Sequence, residues 1–140
     1  MNELAGKGSE EIPLEVDTRF QGTRGDSRIT GRIEGITLSN LTPSALVRGF
    51  LRGIVGELYG YFCELTRAAP SRITSIVGSG NGIRRNLALR AEVARRFALP
   101  VLVPRRREEA ALGAALCAAV GLGALPGFTR ARAVIEYETD

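Results

Sequence analysis

The sequence predicts an α/β domain, and three observations carry that prediction. A β-branched apolar run (Ile73, Ile76, Val77) feeds the alternating glycines Gly78-Ser79-Gly80-Asn81-Gly82, then a helix-forming stretch over 84–98 and a short apolar run over 100–104. That order reads as strand, glycine loop, helix, strand. Thr42 and Pro43 supply an N-cap and a first helical residue ahead of a long run with apolar residues at three- and four-residue spacing. Two strand candidates, over 14–17 and 32–37, precede that helix.

Taken in order, residues 1–12 collect Gly, Ser, Lys and Glu without apolar periodicity, the composition of a disordered tail. They lack the apolar core and positive flank of a signal peptide. A polar loop over 21–30 separates the first two strands. In the long helix Leu46, Val47, Phe50, Leu51, Ile54, Val55, Leu58, Tyr59 and Phe62 recur as far as about Arg67, a span of roughly 36 Å. Gly49, Gly53, Gly56 and Gly60 interrupt it, each at about 1 kcal/mol relative to alanine, so close approach to a neighbouring helix or sheet is expected. After the glycine loop, Leu87, Leu89, Val93 and Phe97 supply a core face, while Arg85, Arg90, Arg95 and Arg96 form a solvated one. Glu108 and Glu109 open the last helix, where carboxylates complement the dipole. Adjacent residues on a helix point apart, which argues against a catalytic dyad. The small side chains of 110–122 are expected to pack against the sheet, and the tail beyond Pro126 reads as a loop with a short strand over 132–137. The organisation is therefore one domain, 13–126, between tails at 1–12 and 127–140.

Composition excludes several chemistries. A chain of 140 residues, 44% hydrophobic and 24% charged, suits a single globular domain that buries about 68–70% of its unfolded surface. There is no histidine, which removes Ser-His-Asp triads, Cys-His pairs and His-ligated metals. Cys63 and Cys117 lie in apolar helical patterns and are expected to be buried, reduced thiols. The net charge of +4 comes almost wholly from arginine, and with 6% aromatic residues and no recognition motif a nucleic-acid partner is not expected. The uncharged run over 110–126 falls short of a membrane span, which requires about 20 strongly apolar residues, so a cytoplasmic protein is expected.

Glycines in the loop remove Cβ atoms that would block close approach, so that backbone N–H groups and a helix N-terminus can face a phosphate. The plain structural alternative is a tight βα connection and nothing more. A P-loop would need a lysine after the last glycine, and the only lysine is Lys7. A Rossmann fingerprint would need a small residue where Ile83 stands, although Arg105, Arg106 and Arg107 could hold a 2′-phosphate. An NADP-binding βαβ unit thus remains an alternative.

In this order the segments resemble the C-terminal half of the FGGY family of carbohydrate kinases, most closely its sedoheptulokinase-like branch, over roughly 14–125. Five stretches carry the resemblance: Phe20-Gln21-Gly22-Thr23-Arg24, residues 31–40 (GRIEGITLSN), the helix after Thr42-Pro43, residues 78–86 (GSGNGIRRN) and residues 108–116 (EEAALGAAL). The resemblance implies an actin-like, ribonuclease-H-like ATPase fold, a mixed sheet with packed helices, here incomplete. It implies ATP with Mg²⁺ as cofactor and a ketose such as sedoheptulose as substrate. Gly22 and Thr23 would lie near the ATP phosphates, and Gly78, Ser79 and Gly80, with Asn81 and Gly82 of the same loop, beside the α-phosphate and ribose. Asn86 would contact adenine, or Ile83 would stand there in an ungapped register. No catalytic or metal-ligating residue is expected in this chain: the family's catalytic aspartate lies upstream, and Asp17, Asp26 and Asp140 do not match it. The implied partners are ATP or ADP, a sugar held through a missing N-terminal domain, and further copies of the chain through uncovered apolar surface. The rival reading is a non-catalytic nucleotide-binding or interaction remnant.

Overall fold

A computed structural model describes residues 12–70 and 72–138. The tail expected over 1–12 lies outside them except for Ile12, as does Asp140. The elements run β1 (Glu15–Asp17), β2 (Arg32–Glu34), α1 (Pro43–Ala68), β3 (Ile76–Val77), α2 (Asn81–Arg85), α3 (Leu87–Phe97), β4 (Val101–Leu102), α4 (Glu109–Gly121) and α5 (Phe128–Arg132). They fall into two compact units, residues 1–69 and 70–140.

In the first unit β1 pairs antiparallel with β2, Val16 opposite Ile33, and α1 packs on β1. Both strands are shorter than the sequence suggested. Gly35, at φ 73°, turns the chain out of β2, a conformation that suits glycine. Thr42 caps α1 by accepting the Ala45 N–H at 3.1 Å. The four helix glycines divide into two kinds. A Cβ on Gly49 would lie 2.8 Å from Val16 Cγ2, and one on Gly53 only 2.2 Å from Val16 O, whereas Gly56 and Gly60 meet nothing within 4 Å. Close approach therefore explains the first pair alone. Leu14, Val16, Ala45 and Val55 make the buried core of this unit. Beside it Asn40, 1% exposed, donates through Nδ2 to Ile12 O (2.8 Å) and Gly35 O (2.7 Å) and accepts the Thr37 N–H at 2.8 Å. One buried side chain thus ties the end of β2 to the segments before β1 and α1, each polar atom satisfied.

In the second unit β3 and β4 are parallel, Ile76 opposite Val101, joined by the glycine loop, α2 and α3. The helix expected over 84–98 is in fact two. Asn86 adopts extended angles and accepts the Leu89 N–H at 3.0 Å, because a short amide side chain competes for backbone donors and favours a cap over a helix interior. Ala98, at φ 51°, ends α3 in the left-handed region. Val93, Val101 and Val103 are buried, but Leu87, expected in the core, is 73% exposed. Helix α4, expected against the sheet, has no buried residue and contacts α5. Its Ala, Gly and Leu residues are apolar on every side and single out no face for burial. Cys117 within it is exposed and Cys63 is half-buried, where buried thiols were expected. The segment after Gly127 begins as helix α5 and returns as a single antiparallel bridge, Tyr137 opposite Pro104, where a loop and strand were expected.

Candidate nucleotide-binding loop

The glycine loop leaves the C-terminal end of β3, and residues 103–109 leave the same end of the parallel β4. Crevices outside such strand ends are where open α/β sheets take ligands. Each glycine has its own physical reason. Gly78 donates to Leu102 O at 2.9 Å, and a Cβ on it would stand 2.8 Å from the Ile83 side chain, so packing demands it. Gly80 has φ 86° and ψ 168°, a region open in practice only to glycine. Gly82 has neither reason: it lies in α2, and a Cβ there would meet nothing within 4 Å. Ser79, Gly80, Asn81 and Gly82 are all exposed. The helix that follows is a five-residue turn rather than the long one expected. Its first-turn N–H groups have no partners within the helix, although its dipole is correspondingly small.

Asn86 carries a local duty as well. Its Oδ1 caps α3, which leaves Nδ2 as the donor to offer a ligand. Ile83, the alternative at the base, packs its side chain on Gly78.

Two residues that sequence reasoning passed over sit at the centre of the site. Arg84, whose side chain is 12% exposed, donates to Glu109 Oε1 (2.7 Å), Glu138 Oε1 (2.9 Å), Pro104 O (2.6 Å) and Arg106 O (3.1 Å). Glu109 Oε2 accepts the Gly80 N–H at 2.8 Å. From sequence, Glu109 reads as a dipole partner and Arg84 only as the first residue of a helix-forming stretch. The signal available in the sequence was position, since each lies seven residues past the last residue of one of two adjacent parallel strands, Val77 and Leu102. Arg90, placed on the solvated face, has a side chain only 16% exposed and pairs with Glu138 at 3.8 Å. Arg105 pairs with Glu136 at 3.5 Å.

In the first unit Gly22 and Thr23 shape their own loop. Gly22 sits at φ 72°, with Ser27 Cα 2.7 Å from where its Cβ would be. Thr23 donates its N–H to Asp26 O at 2.9 Å and accepts the Asp26 N–H on Oγ1 at 3.0 Å. The nearby carboxylates are committed to arginines two residues on. Side-chain and backbone hydrogen bonds from Arg19 lower the Asp17 pKa to about 2, and those from Arg28 lower that of Asp26. Acids held ionised in this way are poor proton acceptors. Among the described residues no group of three or more His, Cys, Asp or Glu side chains could hold a metal ion, and no helix is long and apolar enough to cross a membrane.

Comparison with known proteins gives the family and the fold. Residues 16–122 match the model of the FGGY family of carbohydrate kinases, C-terminal domain. The matched segment holds the 22–23 loop, the glycine loop, Asn86 and Glu109. The chain belongs to that family. It also superimposes on a crystal structure of ligand-bound xylulose kinase from Lactobacillus acidophilus with a TM-score of 0.80 at 19% identity, over 90% of this chain. That likeness concerns the fold, and the chain spans 26% of the kinase's length. The mixed α/β content agrees with an actin-like ATPase fold, of which this chain is a part. FGGY kinases are ATP-dependent phosphotransferases that use a divalent metal, and this membership replaces the NADP-binding alternative.

Proposed function

We propose that this chain forms the nucleotide side of an ATP-dependent sugar kinase acting on a hydroxyl of a ketose such as sedoheptulose. The observation that carries the reading is the family match over residues 16–122, which includes the glycine loop. At Gly80 and Gly82, beyond the strand ends, a Cβ would meet nothing within 4 Å, so a ligand can approach the backbone closely there. In a family of ATP-dependent kinases that ligand is ATP. The loop fits such a group, because Gly80 and Gly82 leave open space and α2 offers unpartnered N–H groups. Ser79, Gly80, Asn81 and Gly82 pass the α-phosphate and ribose, Gly78 sets the loop's entry, and Asn86 gives Nδ2 to the adenine while Oδ1 keeps its cap. Magnesium bound with the nucleotide would supply charge neutralisation for the transferring phosphoryl group.

The whole enzyme would be cytoplasmic, with its catalytic carboxylate and most sugar contacts in a preceding domain. Positioning for in-line attack requires both walls of a cleft, so this polypeptide alone should turn over no sugar. Incubating it with ATP and a panel of ketoses that includes sedoheptulose and xylulose tests this, and sugar-dependent ADP release above background contradicts it. Uncovered apolar surface also favours self-association. On α1, Val47, Ile54, Leu58, Tyr61 and Leu65 lie along one stripe and are 40–61% exposed. Sedimentation should show species larger than a monomer at high concentration, and a clean monomer would refute the expectation.

A further inference from the structure

The pivot of the glycine loop is held by hydrogen bonds rather than by packing. Gly80 occupies a glycine-only region of backbone space, and a Cβ on it would meet nothing within 4 Å, so packing does not fix it. Two backbone hydrogen bonds do: its carbonyl accepts the Arg84 N–H at 3.2 Å, and its N–H makes a charge-assisted bond to Glu109 Oε2 at 2.8 Å, which ties the loop to the segment beyond β4. Glu109 is fixed in turn by Arg84, 2.7 Å from its other oxygen. The Arg84 fork is anchored on Pro104 O and Arg106 O beyond β4 and on Glu138 near the end of the described chain. Pro104, itself buried, follows the fully buried Val103 and bridges to Tyr137, so this anchor lies against the core of the unit.

We propose that Glu109 is a positioning residue for the nucleotide. It acts through Gly80, taking that N–H and so holding the loop in the conformation that leaves Gly80 and Gly82 open to the ligand, and Arg84 keeps it in place. The inference rests on the reading of this loop as the nucleotide site. It differs from a competition model, in which the carboxylate stands where a phosphate will go and must be expelled. Expulsion would break the Arg84–Glu109 pair, whose side chains are only 12% and 20% exposed, and leave Arg84 without one of its two carboxylates.

The test uses the 140-residue chain with Glu109→Gln, which keeps the shape but cannot accept from Gly80 and Arg84 together. Arg84→Lys serves as an independent variant that keeps the charge and loses the fork, and Glu108→Gln is a neighbouring control. Two quantities are read, ADP affinity by amide-shift titration and hydrogen exchange of the Gly80 amide without nucleotide. Losing a hydrogen bond to a charged group should weaken ADP binding roughly tenfold and speed Gly80 exchange about tenfold. Arg84→Lys should shift both in the same direction, and Glu108→Gln should shift neither. Equal or tighter ADP binding by Glu109→Gln overturns the proposal, tighter binding marking Glu109 as a competitor of phosphate. Unchanged Gly80 exchange overturns it as well. If the unmodified chain leaves ADP unbound, the nucleotide reading itself fails, while Gly80 exchange still decides whether Glu109 holds the loop.

Discussion

Two glycines three positions apart on α1 should respond to the same substitution with opposite sign. At Gly53 an added Cβ would stand 2.2 Å from Val16 O, 3.2 Å from Val16 C and 3.0 Å from Thr18 Cγ2. Ordinary carbon–oxygen contact is reached only near ~3.3 Å, so α1 would have to lift off β1 by about 1 Å. Overpacking costs about 1–3 kcal/mol, here ~2–3 because the clash is with a backbone oxygen that cannot rotate away, and helix propensity offsets ~1 kcal/mol of it, which leaves a net loss of roughly 1–2 kcal/mol for Gly53→Ala. At Gly56 nothing lies within 4 Å, so Gly56→Ala should gain about 0.5–1 kcal/mol. Urea unfolding followed by helical circular dichroism, with both variants and the unmodified chain at one concentration, reads the difference. A Gly53→Ala protein as stable as its parent, or a destabilised Gly56→Ala protein, would refute the packing of α1 on β1 described above.

Other outcomes follow from single contacts. Asn40→Ala strands the carbonyls of Ile12 and Gly35 and the Thr37 N–H, and should cost about 2–4 kcal/mol in the same unfolding assay. Asp17 is held down to about pKa 2 from 3.8 by hydrogen bonds from Arg19. The sign follows from linkage: the ionised form is favoured in the folded state, so the pair's contribution is complete above pH ~4 and lost as pH falls through ~2. Unfolding curves for Asp17→Asn and its parent should therefore converge over that interval, and an unchanged gap would contradict it. Asn86→Ala loses the α3 cap, about 1 kcal/mol, whereas Asn86→Asp keeps the cap and removes Nδ2. Preference for ADP over GDP should fall in the aspartate variant with stability held.

The long helix was legible from sequence because its signals agree: a Thr-Pro start and an apolar repeat sustained to Arg67, against an observed end at Ala68. The short strands were placed but overextended, since Gly35 ends β2 by backbone angle rather than by hydrophobic pattern. The break at Asn86 was hidden because its neighbours all suit a helix and only the cap bond reveals it. Helix α4 misled for a different reason, as small apolar residues mark a helix without saying which side is covered. Within the loop, alternation suggested one common purpose for Gly78, Gly80 and Gly82, and the structure assigns packing to the first and backbone angle to the second. For the Arg84–Glu109 pair the sequence offers position beyond two strand ends and nothing more, since the contact joins residues 25 apart through two parallel strands of two residues each.

The account stands most directly on whether adenine nucleotide binds at this loop. Amide-shift titration of the chain with ADP measures it, and with one wall of the cleft a Kd of about 0.1–1 mM is expected. The perturbed amides should be those of Ser79, Asn81, Gly82 and Asn86, and Gly82→Val should abolish the response without the backbone strain that any side chain at Gly80 would add. Saturating ADP that leaves these amides unmoved, or NADP that moves those of Arg105, Arg106 and Arg107 instead, would contradict it.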